Sequence, residues 1–470
     1  MNYISVFDML KIGIGPSSSH TLGPWKAAKR FLAEVPSEIM QQSDSLHVTL
    51  YGSLALTGKG HATDKAVLLG LAGFDPETSS IADISSFLST QSTEEQLMLA
   101  TKKIVAFHSE KNIEYKKNEF LPFHSNALSF ELRFGKHSFK ETFYSIGGGF
   151  ILKEGEEYSN ASTLPPYPCQ NATELLKTCE NKNCSISDLV LQNEMHFLSK
   201  SEIQTKLLQI WSVMKEAAYL GCHTEGILPG GLNVVRRAAQ MNKQLIRKTN
   251  YSNADEWIEA MKEGRDFRKV LTRISCLAIA VNEVNADMGR IVTAPTNGSA
   301  GVIPAVLLYY WCFSGQEATE EHVIRFLLTA AEIGKYFKLG ATISAAAGGC
   351  QAEIGVSASM AAAGLTECLG GTPAQVLMAA EIAAEHHLGM TCDPIGGLVQ
   401  IPCIERNSMG AIKAVTASMI ALESNPTMSK VSLDQVIKSM KETAENMSSR
   451  YKETSLGGLA TNVSVNVPEC

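Results

Sequence analysis

The sequence lacks the signals that direct a chain into or across a membrane. Its first residues, MNYISVFDMLKIG, have no basic segment and carry Asp8 within their apolar part, unlike a secretory signal. The longest apolar run, GVIPAVLLYYWCF, is too short to span a bilayer and contains Pro304. We therefore expect a cytoplasmic protein with no membrane partner.

A surplus of positive charge is absent as well. The chain has 41 lysines and arginines against 48 aspartates and glutamates, which gives a net charge of −7. Nucleic acids require a basic binding face, so we expect no nucleic-acid partner. An apolar fraction of 45% allows a sizeable core, and the length of 470 residues predicts two or three domains. These properties fit an enzyme of small metabolites, although other classes of protein share them.

The eleven cysteines include no C-x-x-C pair, so neither a zinc ribbon nor a ferredoxin-type cluster is indicated. Their odd number and the missing secretory signal exclude a disulfide framework. Free cysteines are most often buried small hydrophobic residues, so several of the eleven are expected to have only a packing role.

The first third of the chain alternates strand and helix patterns. Residues 45–52 and 128–135 alternate apolar and polar side chains, and the second of these forms a predicted hairpin with the segment HSFKETFYS. Helical patterns cover residues 25–35 and 64–73. Together these elements predict an α+β domain over residues 1–155.

The rest of the chain is predicted to be helical. Residues 156–186 are mostly polar and contain three prolines, which indicates a linker that can hold a short helix. Ser432 and Gln435 form a capping box at the start of the last clear helix, which must end by Gly457–Gly458. The predicted fold is therefore an α+β N-terminal domain followed by an all-α catalytic domain over residues 187–470.

Two histidines share one sequence context. His20 in GPSSSHT and His61 in GHATDKA each precede a predicted helix, with Thr63 as the expected N-cap of the second. Helix N-termini attract anions and disfavour a charged imidazolium. A neutral imidazole beside an anion site suits a general base that acts on a carboxylate substrate. Alternatively, Ser19 and Thr63 only cap helices and the histidines are bystanders; the residues alone leave both interpretations open.

The segment PTNGSAG is the most polar of several glycine-rich turns. Glycine allows backbone amides to converge on an anion, and Thr296, Asn297 and Ser299 add side-chain donors. The segment matches neither the dinucleotide nor the phosphate-loop pattern, so no nucleotide is implied. The turns SIGGGF, LPGGLN and DPIGGL can equally be helix caps.

Three cysteines stand in segments suited to hold a bulky group. Cys350 follows two glycines, and Cys392 and Cys403 lie eleven residues apart beside Pro394 and Pro402, which stiffen the loop. Three thiolates and one open position form the ligand set of an iron–sulfur cubane with one catalytic iron. The pattern allows this ligand set but does not require it.

These motifs resemble those of a known family. The segments GPSSSHT, GHATDKA, YSIGGGF, LPGGLNVVRRA, GRIVTAPTNGSAGVIPAVL, GGCQAE, CDPIGGLVQIPCIERN and GGLATNVSVNVPEC are similar to the iron–sulfur-dependent bacterial L-serine dehydratases of the single-chain type, in the same order and over nearly the whole chain. The resemblance implies elimination of water from L-serine to give pyruvate and ammonia. It also implies a [4Fe–4S] cluster on Cys350, Cys392 and Cys403, with Cys470 as a displaceable fourth ligand.

The resemblance places the two histidines at the active site. We expect His61 to be the base that removes the α-proton, with His20 as the second candidate. The side chains expected to bind the substrate carboxylate are Ser17, Ser19, Thr296 and Asn297.

One departure and two open points accompany the resemblance. Ser125 stands where many members have proline, which weakens the transfer of a role to His124 and Asn126. A homodimer is expected from base rates alone. The first domain is akin to a regulatory substrate-binding domain, and whether it binds serine or only docks is left open.

Two other functions use some of the same residues. A pyridoxal-phosphate lyase needs a Schiff-base lysine, for which Lys59 in GKG is the candidate, but it leaves the cysteines unused. A non-enzymatic iron–sulfur redox sensor uses the cysteines without turnover of L-serine.

Overall fold

Strands dominate the first part of the chain and helices the second. The computed structural model describes residues 3–156, 164–246, 250–264 and 266–463. All but one of the described strands lie before residue 154, which confirms the predicted fold class of an α+β region followed by a helical one. The strands are β1 (Lys11–Ile14), β2 (Ser45–Tyr51), β3 (Gln96–Leu99), β4 (Lys103–Ala106), β5 (Ile113–Lys116), β6 (Asn126–Phe134), β7 (His137–Ser145), β8 (Ile151–Lys153) and β9 (Arg290–Thr293).

Seven of these strands form one mixed sheet. Its order is β3-β4-β2-β6-β7-β8, and β5 pairs with β2. The antiparallel pairing of β6 with β7 confirms the predicted hairpin. The helices of this region are α1 (Val6–Met9), α2 (Gly23–Glu34), α3 (Ser37–Gln42), α4 (Gly52–Thr57), α5 (Thr63–Ala72), α6 (Ile81–Gln91) and α7 (Ser109–Asn112). Phe31 of α2 stacks on Phe130 of β6 with a centroid distance of 5.0 Å, so α2 covers one face of the sheet.

The helical part is organised around one buried helix, α17, in which every residue is buried. Its alanines, glycines and serines allow α15, α18 and α19 to pack closely around it. In the described part of the chain, no helix combines the length and the apolar composition needed to cross a bilayer. The helices are α8 (Ala172–Lys182), α9 (Ile186–Glu194), α10 (Lys200–His223), α11 (Ala238–Leu245), α12 (Ala254–Met261), α13 (Phe267–Ala286), α14 (Val302–Phe313), α15 (Glu320–Gly340), α16 (Ala345–Gly348), α17 (Ile354–Cys368), α18 (Pro373–Glu385), α19 (Cys403–Leu422), α20 (Leu433–Asn446) and α21 (Leu459–Asn462).

The predicted linker contains α8, and its described residues pack on the helical part. The carboxylate of Asp434 accepts hydrogen bonds from the amides of Ala172 and Thr173, at 2.8 and 3.0 Å. Asp434 itself lies in the first turn of α20, whose predicted capping box of Ser432 and Gln435 is confirmed. The limits of the domains stay a prediction.

A two-stranded sheet joins the two parts of the chain. Strand β1 pairs antiparallel with β9, so the helical part contains one strand that the sequence did not predict. Beside this sheet, the amide of Asn297 donates to the carbonyl of Ile14 at 3.1 Å, and Asn285 donates to the carbonyl of Pro16 at 2.8 Å. These bonds fix the segment that precedes His20 against the helical part.

The contact between α2 and the sheet predicts the effect of one substitution. Phe31→Ala should lower the free energy of unfolding by about 3–5 kcal/mol, because it opens a cavity beneath a fully buried ring. Denaturant unfolding measures this loss. Ile104→Ala on β4 is the control, since this side chain is half exposed and should cost about 0.5 kcal/mol or less. Equal losses for both variants would contradict the packing described here.

Candidate active site

The two histidines singled out by the sequence lie together inside the protein. His20 belongs to a wide helical turn, Ser18–Leu22, that leads into α2, and His61 lies in the turn between α4 and α5. Both side chains are buried, and their rings stack with centroids 4.5 Å apart. Two segments that are forty residues apart in the chain therefore form one site.

The prediction that Thr63 is the N-cap of α5 is wrong. The helix begins at Thr63, the preceding Ala62 has a left-handed backbone, and no side chain caps the helix. The chain turns so tightly after α4 that main-chain carbonyls take this role: Gly58 accepts from the amide of Thr63, and Thr57 from that of His61. Within the part of the chain that the structure describes, the buried hydroxyl of Thr63 has no hydrogen-bond partner.

A carboxylate that sequence reasoning missed lies between the histidines. Oε1 of Glu453 is 3.3 Å from Nε2 of His61 and 3.5 Å from Nδ1 of His20. Its other oxygen, Oε2, is buried without a hydrogen-bond partner among the described residues. Glu453 belongs to no motif with a known chemistry. The only sequence feature that could have identified it as a site residue is its position in the irregular stretch after α20.

Burial sets the charge of this cluster. It lowers the pKa of His20 to about 4, against the opposing charge of Glu453. The sequence analysis predicted a neutral His20 because of a nearby helix N-terminus. The largest cause of the lowered pKa is instead burial of the ring away from water. Burial alone would raise the pKa of Glu453, but His20, His61 and His124 outweigh it and the pKa is lowered. At neutral pH a negative Glu453 therefore faces a neutral His20.

His124 lies close enough to Glu453 to interact with its charge. Burial lowers the pKa of His124 to about 4, and Nδ1 of its ring accepts a hydrogen bond from the amide of Asn126 at 3.0 Å. Although Ser125 stands where many family members have proline, His124 still lies near the cluster of His20, His61 and Glu453.

A chain of hydrogen bonds connects the predicted serines to Glu453. The hydroxyls of Ser17 and Ser19 are 3.3 Å apart, and that of Ser19 is 2.9 Å from Nδ1 of His20. On the other side of the ring, Nε2 of His20 is 3.1 Å from the hydroxyl of Ser53, which donates to the carbonyl of Glu453. Ser17 and Ser19 thus lie in the histidine cluster, and their binding of the substrate carboxylate stays a prediction.

The three predicted cysteine ligands are all buried in the helical part. Cys350 follows α16, Cys392 lies in the loop after α18, and Cys403 begins α19. Sγ of Cys350 and of Cys392 and a carboxylate oxygen of Glu353 lie within 4.8 Å of one another, a spacing that could hold a metal ion. His20, His61 and Glu453 form a second set with this spacing. Cys470 lies outside the described residues.

Arg406 adds a positive charge beside the thiols. The Cys392 thiol donates to Cys350 and, with Arg406, lowers the pKa of Cys350 against the effect of burial. The same bond and burial raise the pKa of Cys392, and burial raises that of Cys403. Arg406 also donates to the carbonyl of Thr391 at 2.7 Å. Before any metal replaces the thiol protons, the pKa of one of the three thiols is thus already lowered.

Thr296 and Asn297 differ in their relation to the cysteines. The hydroxyl of Thr296 is 2.9 Å from that of Ser299, and Thr296 also hydrogen bonds to Glu353, the carboxylate beside Cys350. The oxygen of the Asn297 amide accepts from Thr293, and its nitrogen donates to Ile14, so the second of these bonds joins the two parts of the chain. The structure brings Thr296 to the thiol cluster and Asn297 to the strand pair.

The stretch that carries Glu453 is bound directly to the Cys392 loop. The amide of Cys392 donates to the carbonyl of Tyr451 at 2.8 Å, and the amide of Glu453 donates to the carbonyl of Cys392 at 2.9 Å. Further along, the amide of Leu459 donates to Asp393 at 2.7 Å. Across the site, a Cβ atom on Gly60 would lie 2.5 Å from the carbonyl of Gly397, so the turn before His61 packs on the same loop. The histidine and thiol clusters are therefore adjacent.

Gly458 predicts how sensitive this docking is. Gly458→Ala would force a left-handed backbone on alanine and place Cβ 2.1 Å from Oδ2 of Asp393. A strain of about 1–2 kcal/mol should raise hydrogen exchange in residues 448–459 by about tenfold, measured by mass spectrometry. Gly457→Ala is the control, because its Cβ approaches no atom closer than 3.1 Å and its φ is not left-handed. Unchanged exchange in Gly458→Ala would refute this account of the docking.

Comparison with known proteins places the chain in a family. The family model for the serine dehydratase beta chain matches residues 5–156, and that for the serine dehydratase alpha chain matches residues 181–460. L-serine dehydratase TdcG of Escherichia coli is 47% identical over 98% of this chain and 99% of its own length. The L-serine dehydratases of Streptomyces coelicolor and Haemophilus influenzae are 46% and 45% identical over 98% of this chain and over 99% and 100% of their own lengths. The chain belongs to the serine dehydratase family.

Proposed function

We propose that the protein is an L-serine dehydratase that eliminates water from L-serine and yields pyruvate and ammonia. The observation that carries this proposal is the buried pair of His20 and His61, joined through Glu453 to the loop that holds the buried Cys392. Its substrate is the one named for relatives that share 45–47% of their residues with the chain. A lyase of this kind needs a base for the α-proton and assistance for a poor leaving group, and the two clusters can supply one each.

We propose a [4Fe–4S] cluster as the cofactor, held by Cys350, Cys392 and Cys403. The donor set fits, because the thiols of Cys350 and Cys392 lie at ligand spacing, and the buried thiol of Cys403 interacts electrostatically with Cys350. Arg406 offsets the negative charge that thiolate ligands bring. Cys470, outside the described residues, is proposed as the fourth ligand on the resemblance alone. When bound, such a cluster with one open iron would supply a Lewis acid for the β-hydroxyl group.

We propose His61 as the base on the hydrogen bonds of its ring. Nδ1 of His61 is 3.0 Å from the carbonyl of Thr57, and a carbonyl only accepts, so Nδ1 must carry a proton. Nε2 is then the nitrogen that can take the α-proton. On His20, both ring nitrogens are engaged by the hydroxyls of Ser19 and Ser53, whereas Nε2 of His61 faces the carboxylate of Glu453, which holds no proton to donate.

Substrate binding is proposed for Ser17, Ser19, Thr296 and Asn297, as the sequence suggests. Three further polar atoms are buried without a hydrogen-bond partner among the described residues and are therefore available to a substrate: Oδ1 of Asn126, Oγ of Ser145 and Oγ of Ser344. The amide oxygen can accept from the ammonium group, and the hydroxyls can donate to the carboxylate.

The proposed step is balanced within the substrate. Nε2 of His61 removes the proton from Cα, the electrons of that bond form the Cα–Cβ double bond, and hydroxide leaves Cβ with the electrons of the C–O bond. Release as aminoacrylate allows spontaneous tautomerisation and hydrolysis to pyruvate and ammonia. A homodimer and a cytoplasmic location stay predictions from the sequence.

The cofactor proposal predicts the effect of single thiol substitutions. Cys350→Ser, Cys392→Ser and Cys403→Ser, each purified without oxygen, should lose most of their iron, their sulfide and their pyruvate formation from L-serine. Cys184→Ser is the control, since this half-buried cysteine lies at the far end of α8 and should keep all three. A sharp internal-aldimine absorption band with no iron would favour the pyridoxal-phosphate alternative, although Lys59 is exposed. Iron binding without pyruvate formation would favour the redox sensor.

The base assignment predicts unequal effects of the two histidines. His61→Ala should lower kcat by about 10²–10⁴-fold, the usual contribution of a general base. His20→Ala should have a smaller effect on kcat, because it removes a hydrogen-bonding group and leaves Nε2 of His61 in place. Steady-state assays at equal iron content measure both. An unchanged kcat in His61→Ala together with an inactive His20→Ala would reverse the assignment.

A further inference from the structure

The hydrogen bonds around His20 determine which of its nitrogens carries the proton. The hydroxyl of Ser53 donates to the main-chain carbonyl of Glu453 at 3.1 Å. A hydroxyl has a single hydrogen, so Ser53 can only accept in its second contact, with Nε2 of His20 at 3.1 Å. Both contacts of Ser53 are satisfied together when Nε2 of His20 is the protonated nitrogen.

The same assignment of donors and acceptors extends to Nδ1, on the other side of the His20 ring. With the proton on Nε2, Nδ1 of His20 has a lone pair and accepts from Ser19, whose hydroxyl then accepts from Ser17. Ser17 in turn accepts from the amide of His20 at 3.1 Å. In each hydrogen bond from Ser17 through His20 to Glu453, the donor thus lies on the Ser17 side. This order is set by the main-chain carbonyl of Glu453, which can only accept.

The carboxylate of Glu453 opposes this arrangement at His20. Its Oε1 lies 3.5 Å from Nδ1, where a proton rather than a lone pair would be favoured by the negative charge. Ser53 therefore decides between two tautomers that are both possible in the site. It does so only while the carbonyl of Glu453 is present as its acceptor.

Glu453 also determines the surroundings of His61. Oε1 faces Nε2 of His61 at 3.3 Å, the nitrogen proposed to take the α-proton. The position of this carboxylate is set by the main-chain bonds of Glu453 to the Cys392 loop and by its left-handed backbone, with φ of 59°. An imidazolium that forms at His61 would therefore meet a negative charge already in place.

We propose that Glu453 is a positioning residue of the site: through Ser53 it sets the tautomer of His20, and its carboxylate stabilises the charge that develops on His61 when that ring takes a proton. The tautomer follows from the hydrogen bonds alone, whereas the effect on catalysis rests on the proposed dehydratase function. The chemistry of Glu453 thus joins the loop that carries Cys392 to the two histidines of the other part of the chain.

The tautomer is tested by nitrogen-15 NMR of the cluster-loaded full chain labelled in histidine, with His20 assigned from a His20→Gln spectrum. The wild type should show a protonated Nε2 on His20. Ser53→Ala removes the acceptor, so the proton should move to Nδ1, beside Ser19 and Glu453. Ser53→Thr retains a hydroxyl and should restore the wild-type pattern. A wild-type proton on Nδ1, or an unchanged spectrum in Ser53→Ala, would overturn the proposal.

The role of the carboxylate is tested by Glu453→Gln. This variant keeps the main-chain carbonyl, but its amide can donate to the lone pair of His61 Nε2, so kcat should fall by about 10²-fold or more with little change in KM. Glu453→Asp keeps the charge and should recover part of kcat. Glu445→Gln, at an exposed position on α20, is the matched control and should behave as wild type.

The two experiments separate the possible failures. A kcat of Glu453→Gln within twofold of wild type at equal iron content, or a change confined to KM, would overturn the role of Glu453. If Glu453→Gln does not take up its cluster, the proposal is tested by the kcat of Glu453→Asp and by the NMR spectra of the Ser53 variants. A wild-type protein that forms no pyruvate from L-serine would instead refute the proposed function, and the spectra of the Ser53 variants would still decide the tautomer.

Discussion

The main-chain pairing between Cys392 and the residues around Glu453 is the constraint on which the site depends. It places a carboxylate from the irregular stretch after α20 beside two histidines from the other part of the chain. The same pairing fixes one side of the thiol cluster. A buried charge without partners is costly, and the interactions of Glu453 with His20, His61 and His124 lower its pKa despite its burial.

Burial, rather than any single ion pair, gives the site its chemical character. Loss of water keeps His20 neutral, and it strengthens each remaining interaction among Glu453, the histidines and the thiols. The rigid elements around the site, β1 with β9 and the buried helix α17, keep the groups in position. Orientation is thus built into the fold before substrate arrives.

The sequence predicted the elements with strong local signals and missed those defined by long-range contacts. The alternation of apolar and polar side chains predicted the β6–β7 hairpin, and the capping box predicted the start of α20. Both signals depend on residues that are close together in the chain. His20 and His61 were found through their shared context. Glu453 and β9 were missed, since their roles arise only from partners hundreds of residues away. The Thr63 cap failed because a tight turn supplied main-chain acceptors instead.

The order of the groups along the chain has a consequence for biosynthesis. The ribosome makes the serines and both histidines first, the cysteines of the thiol cluster long afterwards, and Glu453 later still. The sheet-containing part can fold while the helical part is still being made, since domains generally fold as units during translation. A nascent chain therefore carries its histidines without their carboxylate partner, and the cluster of His20, His61 and Glu453 is completed only when the last part of the chain has been made.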